Sequence, residues 1–484
     1  MTNLLSKSQN RQLQLLEYLS KYESVSQKMI LEDLEYNEKT LITDIHTIND
    51  CISPLSVHNQ PYLGIRLIIP ANYNFDYIYN CFLSSSNEYA LIETIFFDET
   101  HSLSSLSDRL YLSISTVRRL ILKINTELEH SEMTVSSQPL SLVGNEKKIY
   151  GFMTSYFLER FSPTDPFFES PPFDCIEKII RTLAKNNDVP LDYPDLNRAK
   201  VNIYTVLTRL KNGNFPTNAL DIPPRFDLSI TNDSSMVHSF ATHFNLPLNK
   251  KILSYMFPFL LIQNYALNFS ILQSLASQNP KINHKLSIIE HMLILLSDEF
   301  NLPLENKEEV ILQMYNATLQ LFSNSFILNN RNKIFVDSIT RYNRPFLLIL
   351  NRELAKLFKK KAMKESDMYA LAYCLTTHWP QLSVKLQSLQ KKPRIGLFFY
   401  TDTEHTKYIK DEVMYYFRDK LTVDLMPEMS LMEFKHNAYN YDIVITNIYG
   451  LELENVRIIS FPFVPSIQDY KVLEETIEKI NKKK

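Results

Sequence analysis

The chain has 484 residues, with 51 Lys and Arg against 54 Asp and Glu, a net charge of −3, 45% hydrophobic and 22% charged residues. This length exceeds a single core and implies roughly three to five domains, and the composition excludes intrinsic disorder. The near-neutral balance excludes a broad basic field, and no apolar run reaches the ~18 residues that span a bilayer.

Glycine narrows the chemistry further. Only Gly64, Gly144, Gly151, Gly213, Gly396 and Gly450 occur, and their spacing excludes G-x-G-x-x-G, a P-loop and G-x-S-x-G. H-E-x-x-H is absent as well. Cys51, Cys81, Cys175 and Cys374 lie far apart without a C-x-x-C pair, which points to neither a zinc site nor a disulfide framework. No enzymatic activity, metal or cofactor is therefore expected. The first ten residues lack the apolar core of a signal peptide, so the expected compartment is the cytoplasm, with no membrane partner.

In chain order, Leu13, Leu16 and Leu19 mark a first helix, residues 25–34 a second and residues 37–50 a third. Leu41, Ile45 and Ile48 form the buried stripe of that third helix, which turns Lys39, Thr40, Thr43 and His46 outward. Residues 55–69 alternate and turn like a two-stranded wing. From residue 1 to 70, six cations meet eight acids, a local balance of −2.

The pattern then recurs. Residues 102–128 read as two amphipathic helices joined by a tight turn, the first built on Leu103, Leu106 and Leu110. Ser113 and Ser115 supply hydroxyls at the start of the second. Its inward stripe is Ile114, Val117, Leu120, Ile121, Ile124 and Leu128. Ser115, Thr116, Arg118, Arg119, Leu122 and Lys123 point mostly outward. A helix of this kind suits the major groove of DNA, although a surface hairpin with solvated arginines has the same pattern. Residues 133–144 form another strand-turn wing. Between residues 101 and 150 the charge balance is only +1, so any affinity for DNA depends on local placement of cations and on oligomerisation.

Pro163, Pro166, Pro171 and Pro172 mark a boundary. A long helical stretch follows to about residue 389 and divides near Asn279-Pro280. In its second half one helix runs along Leu286 to Leu296, another along Val310 to Phe322 and a third from Phe346 to Phe358. From residue 392 the texture changes to strands at 393–400, 421–425, 441–446 and 456–459, with helices at 404–418 and 468–482. That alternation implies a small α/β domain with a largely parallel sheet.

With these pieces in order, the chain resembles the Mga/AtxA family of transcriptional regulators of Gram-positive bacteria. The most specific portions are residues 87–96 (Asn-Glu-Tyr-Ala-Leu-Ile-Glu-Thr-Ile-Phe), 113–119 (Ser-Ile-Ser-Thr-Val-Arg-Arg), 142–146 and 157–160. The resemblance covers the whole chain and implies a multidomain, mainly α protein. Its expected parts are a winged helix-turn-helix domain at 1–70, a Mga-type winged helix-turn-helix domain at 71–162, all-α PTS-regulation domains (PRDs) at 163–280 and 281–391, and an enzyme IIB-like α/β domain at 392–484.

Function follows from the same resemblance as expectation: a transcriptional activator that binds double-stranded promoter DNA. The second winged domain is the main reader, through Ser115, Thr116, Arg118, Arg119 and Lys123. Arginine can grip guanine edges or phosphates, and both remain open. Shape readout of deformable A·T-rich DNA is expected. Residues 368–380 resemble the PRD segment that carries a phosphoacceptor, which makes His378 the expected target of HPr or sugar-transport phosphotransferase proteins. Its phosphorylation would add roughly two negative charges and shift a homodimer held by the second PRD and the enzyme IIB-like domain. A structural histidine beside Trp379 is the alternative.

Two departures stand out. The first PRD has Asn202 where a histidine is expected, with His238 and His243 as nearby substitutes. The loop at 400–405 lacks the cysteine of enzyme IIB, which excludes thiolate phosphotransfer and leaves His405 as a weak replacement. An RNA-binding antiterminator also carries two PRDs, but begins with a β-rich domain rather than two winged units.

Overall fold

A computed structural model describes residues 4–60, 62–187, 189, 191–216, 227–257, 264–320, 326–340, 343–357, 364–389, 392–426, 430–454 and 456–483. The chain forms two units, Met1–Asn283 with Tyr315–Asn332, and His284–Met314 with Lys333–Lys484. None of the described helices is long and apolar enough to cross a membrane.

The first winged unit consists of α1 (Lys7–Leu19), α2 (Gln27–Asp33), α3 (Glu38–Ile52), β1 (Ser56–Gln60) and β2 (Gly64–Ile68). Ser6, Ser26 and Asn37 cap the three helices by accepting backbone N–H bonds. Val25, expected to open α2, instead forms an antiparallel bridge to Ile65. That close approach explains Gly64: it has a φ of 84°, and a Cβ there would lie 2.5 Å from the Val25 carbonyl oxygen.

The second unit consists of α4 (Asp76–Ser85), α5 (Asn87–Phe97), α6 (Leu103–Leu110), α7 (Ile114–Leu128), β3 (Met133–Ser137), β4 (Leu140–Gly144) and α8 (Glu146–Arg160). Both wings are antiparallel hairpins. Tyr111 adopts the left-handed conformation at the end of α6 and turns the chain into α7.

Helices continue as α9 (Pro171–Asn186), α10 (Tyr193–Lys211), α11 (Ser234–Phe244), α12 (Lys250–Met256), α13 (Phe269–Gln278), α14 (Pro280–Glu299) and α15 (Lys307–Gln320). They are followed by α16 (Arg331–Thr340), α17 (Arg344–Ala355), α18 (Glu365–His378) and α19 (Leu382–Ser388). The expected stripe on α14 is buried at Leu286, Ile289, Met292, Leu293 and Leu296. Phe322 and Phe358, expected to end two helices, lie outside the described residues.

The C-terminal part interleaves β5 (Arg394–Phe398), α20 (Thr403–Phe417), β6 (Thr422–Leu425), α21 (Leu431–Asn437), β7 (Ile443–Thr446), β8 (Arg457–Ser460) and α22 (Ile467–Lys483). Its strands are all parallel, in the order β6-β5-β7-β8. Ile395 and Leu397 face a core shared with Ile409, Val413 and Leu473 of α20 and α22. Phe398 and Val444 face the other layer, built on Phe434 of α21. Strand alternation thus makes a three-layer sandwich.

Residues 315–332 depart from the expected chain order. Ile327 and Leu328, 0% and 5% exposed, join the core of the winged units. The Glu159 carboxylate on α8 accepts three successive backbone N–H groups, from Ile327 (2.6 Å), Leu328 (2.8 Å) and Asn329 (3.0 Å). Asp76 at the start of α4 accepts from the Asn329 amide and from Arg331, each at 2.8 Å. Burial pushes the Glu159 carboxyl above its ordinary range, while the three N–H bonds pull the other way.

Glu159→Ala strands those three donors and is expected to destabilise the N-terminal unit by about 3 kcal/mol. The measurements are thermal unfolding and amide exchange at residues 327–329. Unchanged protection of those amides contradicts the role given to Glu159.

Candidate nucleic-acid interface

Helix α7 buries Val117, Leu120, Ile121, Ile124 and Leu128 and leaves Ser115, Arg118, Arg119, Leu122 and Thr126 exposed. Its first turn carries a hydroxyl cluster in which Ser113 Oγ lies 2.8 Å from both Ser115 Oγ and Thr116 Oγ1. Ser113 also accepts the Thr116 N–H at 3.2 Å. Thr116 is half-buried by this arrangement, while Ser115 remains open to solvent. Neither Arg118 nor Arg119 makes an ion pair among the described residues. The result is a solvated helix face with guanidinium groups free of ion pairs among the described residues and a hydrogen-bonded cluster of hydroxyls at its N-terminal end.

Helix α3 repeats this design. Aligning the caps Asn37 and Ser113 superposes Leu41 on Val117, Ile45 on Ile121, Ile48 on Ile124 and Asn49 on Asn125. The two asparagines do the same work. Asn49 donates to the Val57 carbonyl at 3.0 Å and accepts its N–H at 2.6 Å. Asn125 holds Val135 in the same way, at 3.0 and 2.7 Å. Each side chain thus ties its helix to the first strand of its wing, satisfying a backbone donor and acceptor together. Sequence reading overlooked both residues. The signal was present as an asparagine one residue past a buried isoleucine in each repeat.

On α3 Lys39, Thr43 and His46 are exposed and Thr40 is half-buried. The Thr43 hydroxyl donates back to the Lys39 carbonyl at 2.9 Å. Asp44 is buried against Arg11, Gln12 and Tyr36. Burial opposes its charge, but bonds from Arg11 and Gln12 hold the carboxyl below its usual range. Glu38 and Asp50 leave the outer face of α3 without the cationic character of α7.

Lys123 departs from the expected outward placement. Its ammonium lies 2.8 Å from the carbonyls of Leu4 and Leu5 and 2.7 Å from the Glu88 carboxylate. Glu88 is buried and Leu4 and Leu5 are only 1% exposed. Three acceptors in a water-poor site satisfy all three ammonium donors, which outweighs solvation at the outer face. Lys123 therefore fastens the chain start and α5 to α7.

A second joint lies behind the wing. Arg209 of α10 is fully buried and donates to Glu99, to Glu146 at 2.6 Å and to the Leu142 carbonyl at 2.8 Å. Asn214 adds a bond to Glu99 at 2.9 Å. On the same helix, Asn202 holds its side-chain oxygen buried without a hydrogen-bond partner.

His378 ends α18, half-exposed, with Nδ1 2.8 Å from the Cys374 carbonyl. A carbonyl only accepts, so the proton sits on Nδ1 and Nε2 carries the lone pair. Trp379 is buried and donates its indole N–H to the Pro303 carbonyl at 3.0 Å, fixing the end of the helix. Burial pushes the Cys374 thiol up to about 12, which leaves it inert. His405, by contrast, has both nitrogens engaged. Nε2 donates to the Phe463 carbonyl at 2.7 Å, Nδ1 accepts from Thr401 at 3.0 Å, and the ring stacks on Phe463. Asp402 caps α20 through the His405 N–H, so a carboxylate occupies that helix N-terminus.

Residues 71–157 match the family model described as the Mga helix-turn-helix domain. Residues 174–382 match the one described as the M protein trans-acting positive regulator (MGA) PRD domain. The chain is 23% identical over 471 residues to a protein of Streptococcus pneumoniae serotype 4 named as a candidate trans-acting regulator, covering 95% of each chain. It is 20% identical over 470 residues to the anthrax toxin expression trans-acting positive regulator of Bacillus anthracis, covering 93% and 94%. It is also 22% identical over 183 residues to the capsule synthesis positive regulator AcpA of the same organism, 38% of each chain.

Lys123→Ala leaves the buried Glu88 carboxylate uncompensated and is expected to destabilise the winged pair by about 2 kcal/mol. Thermal unfolding reads this out, and an unchanged midpoint contradicts the inward placement of Lys123.

Proposed function

The chain belongs to the Mga/AtxA family of trans-acting regulators, and on that premise we propose that it is a DNA-binding transcriptional activator. The observation that carries this reading is the pair of unpaired guanidinium groups, Arg118 and Arg119, on the exposed face of α7. With Ser115 and Thr116 at its N-terminal end, α7 enters the major groove as the principal reader, and its wing lies along the backbone. Helix α3 is the weaker second reader, through Lys39, Thr40, Thr43 and His46. With a local excess of only one positive charge around α7, binding relies on a second subunit and on deformable DNA. Lys123 plays no part in this contact.

In this reading residues 1–70 and 71–162 are the two DNA-binding domains, 163–280 and 281–391 the two PRDs, and 392–484 an enzyme IIB-like domain. The protein works as a homodimer held by the second PRD and the C-terminal domain. Exposed Tyr408, Tyr415, Met432, Val464 and Ile467 in the latter support an apolar self-contact. HPr or a sugar-transport phosphotransferase protein phosphorylates His378. The lone pair on Nε2 is the nucleophile, and Nδ1 is held by the Cys374 carbonyl. The new charge, about −2 at neutral pH, shifts the dimer equilibrium. The C-terminal domain transfers no phosphate, since no cysteine follows Cys374 and His405 offers no free nitrogen.

Arg118→Ala combined with Arg119→Ala is expected to weaken promoter binding at least a hundredfold in a low-salt gel shift, without altering dimer mass in sedimentation. Retained affinity rejects α7 as the reader. For regulation, phospho-HPr carrying ³²P labels the wild type but not His378→Ala. Equal labelling of the two proteins removes His378 as the acceptor.

A further inference from the structure

The exposed stripe of α7 does not end in a cation. Because Lys123 is turned onto Leu4, Leu5 and Glu88, the residue that continues the face beyond Arg118 and Arg119 is Leu122, 69% exposed. Helical side chains lean toward the N-terminus, so the Leu122 isobutyl group covers the turn that carries the two arginines. Thr126, next along the stripe, donates its hydroxyl to the Leu122 carbonyl at 3.0 Å. Helix α7 therefore presents an apolar group one turn beyond a pair of guanidinium groups. The repeat does not demand it: the positions of Arg118, Arg119 and Leu122 are held on α3 by Ile42, Thr43 and His46.

The neighbouring charge selects a polyanion, and the leucine selects an apolar group within it. On the major-groove edge of duplex DNA that group is the thymine 5-methyl. We propose that Leu122 is a specificity-determining residue that packs on thymine methyl groups. Helix α7 then recognises A·T-rich DNA by direct contact in addition to its shape. This rests on the reading of α7 as the DNA-contacting helix.

The test uses the full-length protein and two duplexes of one alternating A·T sequence, one containing thymine and the other deoxyuridine, which lacks only the methyl. Burying a methyl-sized group is worth about fourfold in affinity. The wild type is expected to bind the thymine duplex at least about fourfold more tightly. Leu122→Ala binds both duplexes equally, at the deoxyuridine level, and keeps the wild-type melting temperature because the side chain is exposed. Leu122→Met preserves the preference. Equal wild-type affinity for the two duplexes overturns the proposal, while retained DNA binding leaves the reading of α7 intact. A preference that survives in Leu122→Ala comes from duplex shape and also overturns it. Failure of the wild type to bind either duplex rejects the DNA reading itself, and the proposal with it.

Discussion

A guanidinium group without access to water needs anionic partners held in place, and Arg209 finds them outside its own helix. Its bonds to Glu99, Glu146 and the Leu142 carbonyl draw together α10, the residues after α5, the last strand of the second wing and the start of α8. Breaking such a cluster leaves an uncompensated buried charge, typically worth 3–5 kcal/mol, about a third of a domain's net stability. The wing behind α7 is therefore set by a helix of the segment that matches the PRD model, and the two cannot move independently without exposing or stranding charge. Glu159 repeats the logic with the opposite sign, collecting three backbone N–H groups from residues 327–329. Lys123 does so once more at the junction of the two winged units.

These joints tie the segment that matches the PRD model to the winged units. The strap at 326–331 comes from the segment that matches the PRD model, yet its apolar residues lie in the core of the winged units. A change in the helices on either side of the strap must be accommodated by a cluster that tolerates little displacement, since three N–H bonds and two apolar side chains are committed there.

The two winged units show how a repeated frame is diversified at its surface. Cap, apolar stripe and wing-binding asparagine coincide between α3 and α7, because each is required for a helix to sit against a hairpin. Outside that frame constraint is lost: Asp44 of α3 builds a buried polar cluster where α7 has Leu120, and the outer faces differ in charge. The C-terminal sandwich has Asp402 capping α20 and His405 in its first turn, both engaged in internal hydrogen bonds.

Much of this was legible in the residues. Periodic leucines and isoleucines located α1, α3, α6, α7 and α14, and alternation located both wings and the parallel strands, because local geometry dictates those patterns. The outward placement of Arg118 and Arg119 followed from the same 3.6-residue period. That period also turned Lys123 outward, and here it failed: a long flexible side chain at the edge of a stripe goes wherever acceptors are densest, and Leu4, Leu5 and Glu88 reach it only after folding. The bridge at Val25, the pairing of Arg209 with Glu99 and Glu146, and the docking of Ile327 and Leu328 were invisible for the same reason. Sequence by itself determined which segments become helices and strands and which faces they bury, since those depend on neighbours a few positions away. Only the tertiary structure decided which charges are buried together and which remain exposed to solvent, because their partners lie far apart along the chain.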